Sequence, residues 1–481
     1  MTLNDLITIL PLAFLAAWGV VLLLVDLWIP ANRKGLTAIL AAGGLAVTLG
    51  LTLARGQHSL EAFNGMVSVD GFAVFLDVIF LGSGLAGIAL AYDYLKRTHI
   101  ERGEYYSLLL FTVAGMMLMT YANDLVIVFL ALELLSLPLY VMAGFARLQL
   151  LSEEAALKYF LMGAFSSTFV LYGVALIFGA TARTDLPGVV AAVQGGTANP
   201  VFFLVGAAML LVGFGFKSAV MPFHMWAPDV YQGSPSSVTA FMTVGAKAAG
   251  FAALLRVFVV AFQSISADMT PILWALAALT MFGGNILAIA QSNIKRMLAY
   301  ASIAQSGYML MAFVPYGQGA VLKDTIAAML FFLVTYSLAT LGAWAVVIAL
   351  EKEENKDLEI ADYAGLGRKY PWLGAAMTVF MLSFTGMPLT LGFWGKFYLF
   401  STAVEGGFTG LALVGLLTSL ISAYYYLRVV VYMFMKPGEP TLTQDPWIQL
   451  TALVSAFLVV VLSLFPGPLL DYASAALMLL R

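Results

Sequence analysis

Apolar runs of about 17 to 25 residues, long enough to cross a hydrocarbon layer about 30 Å thick, recur some fourteen times along this chain. They fall near residues 6–29, 36–54, 71–92, 105–122, 124–146, 155–179, 200–224, 235–262, 270–291, 296–314, 324–350, 372–400, 409–435 and 447–471. The stretches between them are short, and no change of composition sets off a soluble domain. The pattern predicts an all-α polytopic membrane protein of about fourteen transmembrane helices, forming one body over residues 1–481. Three helices occupy residues 1–104, and five more lie in 105–262. A second five lie in 270–435, and a C-terminal helix lies in 447–481.

Two runs are interrupted in the same way. Segment 7 ("GFGFKSAVMPFHMWAPDVYQG", 213–233) is broken at Pro222. Segment 12 ("MLSFTGMPLTLGFWGKFYLF", 381–400) is broken at Gly386, Pro388 and Gly392. Proline lacks the N–H that a helix requires, so Pro222 frees the carbonyl of Ser218 and Pro388 frees that of Phe384. Freed backbone is tolerated at membrane depth only where protein buries it or a wet cavity reaches it. With helices 4–8 and 9–13 taken as two units of five, each broken helix is the fourth of its unit. An odd number of crossings per unit makes the two repeats inverted, with their discontinuous helices meeting near the midplane.

Composition agrees with a bilayer: 62% of residues are hydrophobic, 10% are charged, and the mean hydropathy is +0.95. Soluble domains are nearer half apolar and a quarter charged. The net charge of −3 gives no reason to expect nucleic acid. The opening MTLND has no basic n-region, so the first apolar run is expected to be a retained helix. Loops after odd-numbered helices carry Arg33, Lys34, Lys96, Arg97, Arg102, Arg147, Lys295, Arg296, Lys352, Lys356, Arg368, Lys369 and Lys436. Loops after even-numbered helices carry only Arg55, Arg183 and Lys323. That bias places the odd loops in the cytoplasm and both termini outside. The hydrophilic run 351–369 then reads as a solvated cytoplasmic loop.

Redox and nucleotide chemistry find little support. The chain has no cysteine, which removes disulfides and cysteine-held iron–sulfur clusters. Of three histidines, His58 and His99 fall in polar connections, and only His224 lies near a span. "KS" at 217–218 and "GK" at 395–396 do not complete a phosphate-binding loop. "GSGLAG" (82–87) lies inside an apolar helix with no strand before it, so its glycines are expected to serve close helix packing.

Ionisable residues inside the spans are the remaining chemistry. Glu133 lies in segment 5, Lys217 in segment 7, Lys247 in segment 8 and Lys396 in segment 12. Each costs roughly 2.5–3.5 kcal/mol to insert at mid-helix. Burial favours the neutral form of a lysine and a nearby carboxylate favours the charged form. A lysine whose partner comes and goes therefore changes protonation, and Glu133 is the natural counter-ion for Lys217. His224, two turns past Lys217, is a plausible relay toward Lys247 or the cytoplasm. Lys158 is a further candidate, with snorkelling to the headgroups as its bland alternative. Lys295 and Arg296 read as interfacial residues first and as a channel gate second. Arg256, Arg428 and the "YYYLR" cluster (424–428) read as interface anchors, and Asp77 has no assigned role.

"GFGFKSAVMPFHMWAPDVYQGSPSSV", "SNIKRMLAYASIAQSGYM" and "LSFTGMPLTLGFWGKFYLF" resemble the antiporter-like membrane subunits of respiratory complex I, NADH-quinone oxidoreductase. The likeness spans essentially the whole chain. Lys396 in "GMPLTLGFWGKFY" contrasts with the glutamate of M-type subunits, and the long lateral helix of L-type subunits is missing, which points to the N-type branch. The resemblance implies proton translocation in a bacterial cytoplasmic membrane without bound redox groups. In that reading Glu133 modulates Lys217, Lys247 continues a polar axis along the midplane, and Lys396 ends it at an exit half-channel. FMN, iron–sulfur clusters and quinone would belong to partner subunits of the membrane arm and the peripheral redox arm. Lipids, and no nucleic acid, complete the expected partners. An alternative reading is a monovalent cation/proton antiporter complex or a membrane-bound hydrogenase. A further alternative is a structural anchor with vestigial charges.

Overall fold

The computed structural model describes residues 2–56, 59–351, 358–443 and 445–476. His58, Lys352, Lys356 and the last five residues of the expected C-terminal helix lie outside them. The chain opens with α1 (Leu3–Asp26), α2 (Gly35–Arg55) and α3 (Gly71–Arg97). Two short strands, β1 (Leu60–Ala62) and β2 (Val67–Val69), form a hairpin between α2 and α3. The next group is α4 (Glu104–Tyr121), α5 (Leu125–Ala143), α6 (Leu150–Thr181), the short α7 (Leu186–Gln194), α8 (Pro200–Lys217), α9 (Trp226–Gly233) and α10 (Ser236–Ala261). Then come α11 (Ser266–Ile289), α12 (Ile294–Phe313), α13 (Leu322–Leu350), the short α14 (Leu366–Lys369), α15 (Pro371–Thr385), α16 (Leu391–Glu405) and α17 (Thr409–Met435). Two helices close the chain, α18 (Pro446–Leu464) and α19 (Gly467–Ala475). The expected single C-terminal helix is therefore two, parted at Pro466, which has no N–H to continue α18.

Eleven of the described helices are long and apolar enough to cross a membrane. The other three expected segments are helical too, and each differs for a reason. Segment 12 is split into α15 and α16. α4 and α12 are walled in by protein along nearly their whole length. A helix that meets no lipid is free to carry polar side chains. Burial sorts the rest: 94% of the α10 window and 89% of the α13 window are covered, against 33% for α1, α6 and α18. α10, α12 and α13 thus form the centre, and α1, α6 and α18 the rim. Two glycines of "GSGLAG" serve close packing as expected, since a side chain at Gly84 would press on Leu45 and Val113 and one at Gly87 on Phe241, whereas Gly82 faces open space.

One hydrogen-bond pattern occurs twice. Asp124 caps α5 and forms an isolated bridge with Asp185; Asn293 caps α12 and forms one with Glu359. Leu125 N–H donates to Thr184 at 2.9 Å and Ile294 N–H to Leu358 at 2.8 Å. Leu186 N–H donates to Asn123 at 3.0 Å and Ile360 N–H to Ser292 at 2.8 Å. Each bridge ties the start of a helix to the chain that returns to it later. Asp185 also caps α7 and accepts the Arg183 guanidinium at 2.8 Å, which holds its carboxyl below the usual carboxylate range.

Two expected interface anchors are something else. Arg256 is 1% exposed and makes a two-pronged ion pair with Asp70 at 2.6 and 2.9 Å, with a third bond to the Thr120 carbonyl at 2.7 Å. Asp70 also caps α3. The pair therefore staples α10 to the start of α3 and the end of α4. Arg428 donates to the carbonyls of Ile289 and Gln291, closing the C-terminus of α11. Breaking a buried pair from one side leaves a charge without compensation. Asp70→Ala is expected to destabilise the fold by about 3–5 kcal/mol, and Asp70→Leu combined with Arg256→Met to recover most of it. Thermal unfolding in detergent checks this, and an unchanged midpoint for Asp70→Ala would show that the staple holds nothing.

Candidate functional site

α8 stops at Lys217, five residues before Pro222. Its end is a Schellman motif: Val220 N–H donates to Gly215 at 2.8 Å and Ala219 N–H to Phe216 at 3.0 Å, with Ala219 left-handed at φ 54°. Pro222, joined to Met221 by a cis peptide, lies in the non-helical stretch before α9. Lys217 is 3% exposed and sits on the last turn, where the helix dipole favours a cation. Its Nζ donates to Ser136 Oγ at 2.9 Å and Tyr159 Oη at 3.1 Å, and lies 5.4 Å from the centre of the Tyr159 ring. Glu133, half-buried one turn before Ser136, makes no ion pair with Lys217 within 4 Å, and its Oε1 is buried without a hydrogen-bond partner. The expected counter-ion makes no contact with Lys217, and a serine hydroxyl is on the ammonium in its place.

The second break repeats the cap. Met387 N–H donates to Leu382 at 3.0 Å and Gly386 N–H to Ser383 at 3.1 Å, with Gly386 at φ 88°. Here glycine is required twice over, because a Cβ would also meet Lys396 Cδ at 2.9 Å. Lys396, 4% exposed, comes from the other half-helix and reaches back over Gly386. Its Nζ donates to the Thr385 carbonyl at 3.1 Å and Ser419 Oγ at 2.8 Å, and lies 4.5 Å from the Tyr308 ring centre. The two lysines thus use one device: the carbonyl end of a half-helix, a hydroxyl and a tyrosine face.

Lys247, 1% exposed in the middle of α10, donates to the carbonyl of Ser302 at 2.5 Å and also to its hydroxyl, 5.4 Å from the Tyr336 ring centre. Tyr336 Oη donates to Ser302 Oγ at 3.0 Å. Beside them a cavity of about 10 Å³, lined by the apolar Leu298, Trp344 and Phe384 as well as by Ser302, Gln305, Tyr336 and Tyr426, has room for about one water. Gln305 Nε2 then reaches Tyr426 Oη at 3.3 Å and the Phe384 carbonyl at 3.2 Å, one peptide from the carbonyl that Lys396 holds. On the other side Ser306 Oγ donates to the Ser218 carbonyl at 2.6 Å, next to Lys217. Lys217, Lys247 and Lys396 therefore lie on one polar line through an apolar body.

None of the three ammonium groups forms an ion pair among the described residues. Their partners are hydroxyls and carbonyls. A hydroxyl both donates and accepts, so it can hold either the charged or the neutral amine by turning. A carboxylate contact would instead favour the charged form. The arrangement suits groups that gain and lose a proton in place.

The other expected site residues lie off this line. Lys158, 39% exposed, pairs with Asp229 at 2.6 Å and Glu154 at 2.7 Å, and Arg296 pairs with Asp229 at 2.7 Å. His224 is partly buried in the first break with Nδ1 buried and unpartnered, and no described hydrogen bond joins it to Lys217 or Lys247. Lys295 is buried and donates to the Ser234 carbonyl at 2.9 Å. Asp77 is fully buried and accepts the Tyr121 hydroxyl at 2.5 Å. Sequence reasoning missed Ser302, Gln305, Ser306, Tyr308 and Tyr336, and read Tyr425 and Tyr426 as interface anchors although both are fully buried. A signal was present, since 302, 305 and 306 are polar positions on one side of α12, at the spacing of one helical turn. Among the described residues no group of three or more metal-binding side chains comes together.

The profile of a family described as "NADH:quinone oxidoreductase/Mrp antiporter, TM" matches residues 122–422. NADH-quinone oxidoreductase subunit N of Trichlorobacter lovleyi is 45% identical over 484 residues, covering 99% of this chain and 98% of that protein. The protein of the same description from Chloroflexus aggregans is 44% identical, with 99% and 98% covered. In a solved structure of respiratory complex I from Thermus thermophilus with bound aureothin, one chain superposes with a TM-score of 0.83 at 37% identity, covering 97% of this chain and 99% of that one. A chain of the Mrp complex from Dietzia sp. superposes at 0.86 with 20% identity, a likeness of fold alone, covering 99% and 97%.

A buried ammonium without a carboxylate contact costs the fold more than it contributes. Replacing Lys217, Lys247 or Lys396 by methionine is expected to leave the thermal unfolding midpoint unchanged or raised, since about 2.5–3.5 kcal/mol of insertion penalty is relieved at each site. Lower midpoints in all three variants would assign the lysines to the fold and not to chemistry.

Proposed function

The chain belongs to the NADH:quinone oxidoreductase/Mrp antiporter family of membrane subunits, and from that premise we propose that it is a proton-translocating subunit in the membrane arm of an NADH:quinone oxidoreductase. Glu133, Lys217, Lys247 and Lys396 carry the protons. The observation that supports this most is the polar line joining the three lysines by way of α12. Helices α4–α10 and α11–α17 are its two inverted units, and the twice-used bridge at Asp124 and Asn293 supports that division.

Lys217 holds its proton while Glu133 is near and loses it when the carboxylate withdraws. Ser136 and Tyr159 keep the amine in place through both states. The proton passes to Lys247 beside the Ser302 hydroxyl, then toward Lys396 by way of the cavity between Ser302 and Tyr426. Lys396 releases it on the far side. Moving a proton against the membrane potential costs about 2.3 kcal/mol per 100 mV. That energy comes from electron transfer in partner subunits, where FMN, iron–sulfur clusters and quinone are bound. The odd-numbered loops face the cytoplasm of a bacterial cell and both termini face outward. Lys158 and His224, off the line, act at most on access to it.

In the assembled complex, Lys217→Ala is expected to reduce proton transfer through this subunit by about 100-fold, and Glu133→Gln by about tenfold. Proton uptake per NADH oxidised, measured in proteoliposomes, checks both. Wild-type yields in both variants would leave the charges vestigial. Isolation with membrane subunits alone and without NADH:quinone activity would move the chain to a cation/proton antiporter complex.

A further inference from the structure

The two carbonyls freed at the helix breaks are satisfied by adjacent residues of a single helix. Ser306 Oγ donates to Ser218 at 2.6 Å, and Gln305 Nε2 donates to Phe384 at 3.2 Å. Ser218 follows Lys217 directly, and Phe384 precedes Thr385, whose carbonyl holds Lys396. We propose that Gln305 and Ser306 act as one clamp that couples the two breaks, so that a movement at either repositions the lysine at the other. This rests on the functional reading above and extends it to positioning residues that touch neither amine.

Three further features support a clamp over two unrelated caps. First, α12 is a firm platform. A Cβ at Gly307 would meet the Met281 backbone at 2.7 Å, and one at Gly284 would meet the Ala304 backbone at 2.6 Å, so α11 and α12 lie in direct backbone contact. Second, both partners of the clamp lie in the same cap geometry, a half-helix ended by a Schellman motif. A shift of α12 along its axis therefore loads both breaks together. Third, the matching bridges at Leu125 and Ile294 give α5 and α12 equivalent starting points in the two units. Ser136 lies eleven residues after Leu125 and Gln305 eleven after Ile294. The position that holds a lysine directly in the first unit is turned, in the second, onto the backbone of a break. Ser302, three residues earlier on the same face, holds Lys247. One helix thus contacts the neighbourhoods of all three lysines.

A buried carbonyl that loses its donor shifts a local equilibrium by roughly tenfold or more. The test uses the whole complex in proteoliposomes and reads protons moved per electron, a ratio independent of how much complex assembles. The variants are Ser306→Ala, Gln305→Met, their combination, and Ser306→Thr, with Lys217→Ala as the reference for loss of this subunit's share. The clamp predicts that each single variant falls at least halfway toward the Lys217→Ala value and that Ser306→Thr, which keeps the hydroxyl, recovers the wild-type ratio. It also predicts that the double variant falls no further than the lower single. Should Ser306→Ala fail to assemble, Ser306→Val against Ser306→Thr decides, because the two have the same shape and differ only in the hydroxyl. Wild-type ratios in the Ser306 and Gln305 variants, with Lys217→Ala still impaired, would overturn the clamp and leave the functional reading standing. Fully additive losses would also overturn it, as two independent caps. A wild-type ratio in Lys217→Ala would remove the functional reading itself.

Discussion

An ammonium group taken out of water needs something to take water's place, and that requirement shapes the interior of this protein. Lys217, Lys247 and Lys396 are each at most 4% exposed and none touches a carboxylate. The replacement is assembled from weak parts: a serine hydroxyl and a tyrosine ring at all three, with the end of a half-helix at Lys217 and Lys396 and the Ser302 carbonyl at Lys247. At Lys396 the break itself supplies an acceptor, the Thr385 carbonyl, and at Lys217 the ammonium sits on the last turn before the break, where the helix dipole favours a cation. The Schellman ends and the left-handed residues Ala219 and Gly386 follow from the need to stop a helix cleanly at membrane depth.

The same requirement explains the placement of α12. It is the least lipid-like of the central helices because its polar side chains face the two breaks and Lys247 at once. Arg256 and Asp70 answer the same electrostatic problem differently, with a buried ion pair fixed at two points. That pair binds α3, α4 and α10 together. The lysines, cradled by groups that accept either protonation state, are free to change. One body contains both a locked charge pair and adjustable charges, and the difference lies wholly in their partners.

Much of this was legible in the sequence, and the parts that were not have physical reasons. Span length and hydropathy are one-dimensional properties, so the helices fell close to their expected places. The prolines at 222 and 388 correctly marked Ser218 and Phe384 as carbonyls in need of donors. They did not mark where each helix ends, because a Schellman turn closes α8 five residues before Pro222. The intramembrane lysines stood out by cost alone. Their partners did not, since a serine or glutamine in a span carries little penalty and Ser302, Gln305 and Ser306 acquire meaning only from what faces them. Arg256 misled for a related reason: its partner Asp70 is 186 residues away in sequence. Glu133 was read as the partner of Lys217, and in the structure the hydroxyl of Ser136, one turn further along α5, is what the ammonium meets.

The central claim is that the three lysines lie on one path a proton can follow. The most direct test is an electron-microscopy map of the assembled complex at a resolution that shows ordered water. The account predicts water in the cavity between Ser302 and Tyr426, and water or hydroxyl contacts closing every remaining gap from Lys217 through Lys247 to Lys396. A dry apolar gap wider than one water between Lys247 and Lys396 would contradict it.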